Sequence, residues 1–250
     1  MNARSNDIHR LEELTLNAWP GLKQVIYDGW VARFSRGFTG RANSVVPLHD
    51  GAIDPARKLE FFESLYSAHG LPTTFKLTAA SRPPDLDALL ATRGYRESRR
   101  ASVQVCDQLP AGSDYEGVRM RDVVWPEWTD SVIRYRSLTP ADASTLSEIL
   151  SLIALPCQFA VSGEGGDIAA CALGVLEAPW IGLYDIVTRE DARRRGHAAR
   201  VVNALMAWGR DNGAASAYLQ VMIDNAPAQA LYAKLGFRES YQYAYRSKRT

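Results

Sequence analysis

Arg193-Arg194-Arg195-Gly196-His197-Ala198 joins two segments of different period in a chain of 250 residues. Before it, Ile181–Thr188 is apolar and rich in β-branched residues, and reads as a strand. After it, Ala198, Val201, Val202, Leu205 and Trp208 fall at helical spacing over Gly196–Asp211, and Asn212-Gly213 supplies a stop. Three guanidinium groups at a helix start are unfavourable alone, because the helix dipole already concentrates about half a positive charge there. An anion would compensate them. Free backbone N–H groups beside a glycine make a cradle suited to phosphate. Glu190 and Asp191 leave open the plainer alternative, a solvated basic turn.

Working outward, Ala217–Val221 reads as a strand, Pro227–Leu235 as a helix and Tyr241–Arg246 as a last strand. Upstream lie a strand at Gly117–Met120, helices at Trp125–Tyr135 and Ala141–Leu152, and strands at Gln158–Val161 and Asp167–Leu176. Thr139-Pro140 marks the second helix start, a cap followed by proline at the first helical position. Ala178-Pro179 makes the turn before Ile181. Strands, helices and strands in this order predict a mixed α/β (α+β) fold with a mostly antiparallel sheet flanked by helices. The N-terminal half gives strands at Val25–Phe34 and Asn43–Leu48, joined by Gly37-Phe38-Thr39-Gly40, and a helix at Ala56–Ala68.

The two halves echo each other. Gly94-Tyr95-Arg96-Glu97-Ser98 matches Gly236-Phe237-Arg238-Glu239-Ser240, an offset of 142 positions. At the same offset Ala88-Leu89 falls on Ala230-Leu231, and Phe75-Lys76-Leu77-Thr78 on Ala217-Tyr218-Leu219-Gln220. A shared offset with the same predicted elements points to duplication. The turn-forming run Gln108–Asp114 marks the join, which divides the chain into lobes 1–112 and 113–250.

The bulk composition excludes several classes. A net charge of +1 gives no global field for nucleic acid or membrane, so an anion site has to be local. No stretch approaches the roughly 20 apolar residues a membrane helix needs, and the first residues lack the apolar core of a secretory signal. Cys106, Cys157 and Cys171 are far apart and odd in number, which suits a reducing cytoplasm and predicts neither disulfides nor metal.

Arg193, Gly196 and Ala198 occupy the defined positions of Gln/Arg-x-x-Gly-x-Gly/Ala, the hallmark of the GNAT superfamily of N-acetyltransferases. Asn225 to Phe237 is similar to that family's second signature, Asn-x-x-Ala-x-x-Leu-Tyr-x-Lys-x-Gly-Phe. One helix and one strand separate the two, as in the family. The resemblance is specific over residues 117–250 and faint before them. It implies two GNAT-like lobes, the second catalytic and the first degenerate. It implies acetyl-CoA as co-substrate, no metal, and a monomer or homodimer. The backbone N–H groups of Arg194, Arg195, Gly196, His197, Ala198 and Ala199 would hold the pyrophosphate, with Arg193 and Arg195 adding charge-assisted bonds. Ile186, Val187 and Thr188 would pair with the pantetheine arm, which Asn225 would also bond, and Tyr232 would lie near the thioester sulfur.

The chemistry is attack of an amine on a thioester. An alkylammonium ionises at about pH 10, so the amine has to lose a proton to a base or an ordered water. A backbone N–H near Val187 suits the oxyanion, and the phenol of Tyr232 suits the departing thiolate. The family often places a glutamate on this strand. Here the register puts Gly182 there and leaves Asp185 as the strand's carboxylate, with a structural role open beside a catalytic one. Tyr184 is a candidate for lining the acceptor pocket. His197 is expected to face phosphate or solvent. The N-terminal lobe lacks the arginine-glycine motif; its counterpart, His49–Ala56, is acidic. That lobe is expected to bind no cofactor and to help wall the acceptor pocket, with Trp30, Arg41 and Asn43 as candidates. The leading acceptor is the amine of a small molecule. The alternatives are a protein lysine or N-terminus, and a non-catalytic acyl-CoA-binding module.

Overall fold

Stretches of period two and period 3.6 alternate along the chain, and the elements follow them. The structure, a computed structural model, describes residues 5–112, 115–164 and 166–249. Ser113 and Asp114 of the expected join lie outside the described residues. In chain order the elements are α1 (Ser5–Ala18), β1 (Lys23–Tyr27), β2 (Trp30–Phe34), β3 (Val45–Pro47), α2 (Pro55–Ala68), β4 (Thr73–Leu77), α3 (Leu86–Thr92) and β5 (Arg96–Cys106). Then come β6 (Val118–Arg121), α4 (Pro126–Arg136), α5 (Pro140–Ser151), β7 (Cys157–Ser162), β8 (Ala170–Glu177) and β9 (Trp180–Thr188). The chain closes with α6 (His197–Asp211), β10 (Ser216–Met222), α7 (Ala226–Lys234) and β11 (Arg238–Lys248). Short 3₁₀ turns at Gly40–Ala42 and Glu190–Ala192 precede β3 and α6.

The chain forms two compact units, Met1–Ser102 with Ser240–Thr250, and Val103–Glu239. This differs from the division at residue 112 in one respect that matters. The C-terminal strand β11 belongs to the first unit, where it pairs antiparallel with β4 from Ala244↔Leu77 to Lys248↔Thr73. The second half of β5 belongs to the other unit, and Cys106 sits in its core. The repeat itself is real at the level of elements. β4–α3–β5 recurs as β10–α7–β11, and Arg96–Cys106 and Arg238–Lys248 start and end at one offset. Gly94 and Gly236 stop the two helices at φ 84° and 86°, the left-handed conformation that favours glycine.

In the second unit the strand order is β10-β9-β8-β7-β6, antiparallel except for the parallel pair β9–β10. One face carries α6. Val201, Val202, Leu205 and Met206 pack there on Ala170, Ala172, Ile181, Leu183, Ala217 and Leu219, all buried. Gly209 permits the close approach, since a Cβ there would stand 2.8 Å from Ile181. The opposite face carries α4, whose buried Trp128 stacks edge-on against Phe159 and donates its indole N–H to Ala172 O at 3.2 Å.

The first unit orders β1-β2-β3-β4-β11. Its main core gathers Trp30, Phe34, Leu59, Phe62, Tyr66, Phe75 and Leu90. On the other face α1 lays down Glu12, whose carboxylate accepts from Lys76 Nζ at 2.6 and 2.8 Å and from the Tyr241 hydroxyl at 2.7 Å. A buried ion pair needs such additional bonds to offset its desolvation. Two features differ from the sequence-based expectation. Helix α1 is absent from it, although Ile8, Leu11, Leu14 and Ala18 bury one helical face. Val25–Phe34 is a hairpin and not one strand: Asp28 and Gly29, at φ 46° and 86°, make its turn.

Asp28 also braces the loop before α2. Its carboxylate pairs with Lys58 at 2.7 Å and accepts from the N–H groups of Ile53 and Ala52. The Lys58 ammonium first, then these amides, hold the carboxyl down at about 2 against an ordinary 3.8. The folded value lies below the unfolded one. Its stabilisation is therefore present above pH 3.8 and fades as pH falls toward 2. Asp28→Asn should lower the melting temperature at pH 7, and the gap from the parent should narrow as the pH drops below about 4. A gap independent of pH would show that the charge of Asp28 contributes nothing.

Candidate functional site

Strand β9 has two partners for only part of its length. Its parallel register with β10 runs from Trp180↔Ser216 to Leu183↔Leu219 and stops there, although β10 continues to Met222. Its antiparallel register with β8 continues to Val187↔Cys171 and Thr188↔Ala170. Between these regions lies a β-bulge: Tyr184 faces Leu173 and Val187 faces Cys171, so Asp185 and Ile186 together oppose Ala172. Asp185 takes the extra residue at φ 45°. Beyond the bulge the strands fork. The β10-facing backbone of Asp185–Thr188 has no ladder partner among the described residues. Unpaired strand edges recruit extended segments, so this is a slot for one. Ile186, Val187 and Thr188, expected to pair with a pantetheine arm, all lie along it.

The chain leaves the fork through the Glu190–Ala192 turn and reaches the arginines. Arg194 stands at φ 61° and Gly196, the N-cap of α6, at φ 84°. Gly196 offers no capping side chain, so the first N–H groups of α6 point outward without intrahelical partners. A Cβ built on Gly196 would meet nothing within 4 Å. Its own conformation requires the glycine, and a side chain there would meet no other part of the chain beyond its immediate neighbours. Arg193, Arg194 and Arg195 are exposed. Arg193 has only a loose contact with Glu190 at 3.9 Å, and Asp191 is drawn aside by Arg189 at 2.6 Å. The acidic neighbours thus do not neutralise the turn. Ala198 and Ala199 are half-buried behind it.

His197 is a correction. Its ring does not face phosphate or solvent: it is buried and shares a hydrogen bond with the Ser162 hydroxyl at 3.1 Å. Only its backbone N–H belongs to the turn.

Asn225 caps α7, its side-chain oxygen accepting from Ala228 N at 3.2 Å. That leaves its exposed amide NH2 as the group able to bond a ligand. About two turns on, Tyr232 is 6% exposed beside Phe237, ring centroids 6.1 Å apart. Burial pushes its hydroxyl up to about 12, so it stays protonated through the neutral range.

On the α4 face, Arg136 at the end of α4 donates to Asp185 Oδ1 at 2.6 Å. Asp185 is 9% exposed, and its Oδ2 is buried without a hydrogen-bond partner among the described residues. Arg136 has no signal in the sequence. Nothing in a helix-end arginine foretells a partner 49 positions away. Tyr184 is not on an open wall. It is 2% exposed, its hydroxyl bonded to that of Tyr218 at 2.8 Å. The two rings also explain Gly182, where a Cβ would lie 2.5 Å from the Tyr218 hydroxyl.

Comparison with known proteins fixes the class. The fork between two parallel strands and the glycine-capped basic turn after it belong to an N-acetyltransferase of the GNAT family. The solved structure of a GCN5-related N-acetyltransferase from Kribbella flavida superimposes with a TM-score of 0.68 over 97% of this chain and 95% of that one, at 17% identity. The chain belongs to the family whose model reads "Probable histone acetyltransferase Rv0428c C-terminal", which matches residues 5–246. It is 30% identical to the "Uncharacterized N-acetyltransferase YobR" of Bacillus subtilis, covering 98% of this chain and all of that protein. It is also 28% identical, over 52% of its length and 88% of the relative, to "Aminoglycoside N(6')-acetyltransferase type 1" of Serratia marcescens.

The three N-terminal candidates for a pocket wall are engaged inside the first unit. Trp30 is fully buried, between Phe62 and Phe75, with Lys58 Nζ 4.8 Å over its ring. Arg41 lies 4.9 Å over Trp19. Asn43 is buried, and both ends of its amide are spent on backbone. Its oxygen accepts from Ser35 N at 2.7 Å and Gly37 N at 2.9 Å, and its NH2 donates to Phe38 O at 2.7 Å and Thr39 O at 2.9 Å. It is the knot of the 35–39 loop. Asn43→Ala leaves these groups unpaired and should cost about 2–4 kcal/mol in chemical denaturation. A loss below about 0.5 kcal/mol would contradict this role.

Proposed function

We propose that the chain moves an acetyl group from acetyl-CoA to a primary amine of a small molecule. The observation that carries this is the fork after Leu183 together with the exposed, basic, glycine-capped turn that follows it. The unpaired β9 edge suits the amide groups of the pantetheine arm. The N–H groups of Arg194 to Ala199 suit its diphosphate, with the exposed guanidinium groups of Arg193 and Arg195 adding charge. Asn225 is available through its NH2. Acetyl-CoA supplies the thioester whose acyl group passes to the amine. Tyr232 is a phenol kept protonated by burial, suited to give its proton to the departing sulfur.

The aminoglycoside name of one relative supports a small-molecule acceptor. The histone name carried by the family model supports a second reading, transfer to a protein lysine. Thiol release with acetyl-CoA, run against a panel of small amines, amino acids and lysine peptides, separates the two. Turnover confined to peptides would make the protein lysine the acceptor.

Acetyl-CoA should raise the melting temperature of the parent protein. Gly196→Val, which places a branched side chain before the amides at a strained φ, should abolish that rise. A normal rise in this variant would mean the phosphates lie elsewhere. Tyr232→Phe should leave acetyl-CoA affinity unchanged and lower kcat by about 10²-fold. The factor should be the same at pH 7 and pH 9, since the hydroxyl stays protonated at both. An unchanged kcat would remove Tyr232 as the acid.

A further inference from the structure

Resting on the acetyl-transfer reading, we propose that the unpaired oxygen of Asp185 docks the nitrogen of a cationic acceptor amine, and that Arg136 is the residue that positions it. Asp185 is anomalous in two ways at once. It holds the left-handed conformation as a non-glycine residue, and it buries a carboxylate oxygen with no donor among the described residues. Each is a cost that folding alone does not require. Their coincidence on the second residue beyond the last β9–β10 pair puts both where β9 starts to offer a free edge.

Arg136 accounts for half of the carboxylate. Its guanidinium reaches from the end of α4 to Oδ1 at 2.6 Å and leaves Oδ2 as the free acceptor. The side chain of Arg136 is 27% exposed and that of Asp185 is 3% exposed. Water therefore screens the cation better than the anion, and the buried oxygen still calls for a donor. The buried Cys171 thiol, on the strand opposite the bulge, feels the charge of Asp185, while the adjacent Tyr184 bonds its hydroxyl to that of Tyr218. A compact N–H donor carrying positive charge fits this position, and a primary ammonium is such a group. In this arrangement Asp185 touches the acceptor and Arg136 acts through Asp185.

Asp185→Asn isolates the effect. Asparagine tolerates the left-handed conformation and can still accept from Arg136, but it turns a donor toward the acceptor site. The probes are kanamycin, spermidine and an alanyl-lysine peptide, assayed by thiol release at saturating acetyl-CoA; acetyl-CoA affinity is read separately by calorimetry. Asp185→Asn should raise the acceptor KM about 10- to 100-fold and leave acetyl-CoA affinity and melting temperature near those of the parent. Arg136→Ala should raise the same KM, and Arg136→Lys should recover part of it.

An unchanged acceptor KM in Asp185→Asn would overturn the proposal and leave an ordered water as the partner of Oδ2. So would a loss confined to acetyl-CoA affinity, or turnover of none of the three cations. Failure of the parent protein to bind acetyl-CoA would instead defeat the acetyl-transfer reading on which the proposal stands.

Discussion

A strand inside a sheet ordinarily satisfies both of its edges, and β9 does so only as far as Leu183. One extra residue, Asp185, breaks the register toward β10 while the ladder to β8 resumes at Val187. Helix α6 packs on one face and fixes β9 through Ile181 and Leu183, so the strand cannot slide back into register. Helix α4 packs on the other and holds the bulge by an ion pair. The segment that follows the fork turns through two positive-φ residues, Arg194 and Gly196, to present the first amides of α6. Backbone groups left unpaired in one short region are thus a consequence of register.

The conformational costs of the unit gather in the same place. Asp185 and Arg194, with Ser137 directly after Arg136, are the unit's left-handed non-glycine residues among those described, each worth roughly 1 kcal/mol or more. Tight packing on both faces of β8 and β9 offsets them, with Ala170, Cys171, Ala172 and Leu173 fully buried. Such strain is tolerated where it holds a group in a working position. The first unit shows a different use of the duplicated pattern. Its repeat of strand, helix and strand survives, but its interior is filled by Trp30, Phe62 and Phe75, and Asn43 ties its loop.

The parts legible in the sequence are those set by local chemistry. The period of α6, its arginine-glycine start, the Asn225 cap and the Gly-Phe stop of α7 each depend on residues within one or two turns. The repeat is legible because it is linear. The parts that are not legible depend on distant pairing. Whether Asp185 bulges is decided by its register against β8, and its partner Arg136 is decided by where α4 ends. Trp30 and Asn43 look like candidates because aromatic and polar residues on strands can face a ligand. They face inward because every residue of β2 is buried, and because a buried amide matches four backbone groups of a tight loop. The hairpin at Asp28-Gly29 and helix α1 do have local signals, an Asp-Gly turn and a periodic apolar face over Ser5–Ala18. The exchange of β5 and β11 between the units has none.

The central claim is that the free edge of β9 and the turn before α6 form one continuous binding surface for the coenzyme. Amide hydrogen exchange, followed residue by residue with and without acetyl-CoA, tests it most directly. The fork predicts that Asp185–Thr188 and Arg194–Ala199 gain protection together on addition of acetyl-CoA, with little change in β6 and β7. Protection elsewhere, or at the turn without the strand edge, would contradict it.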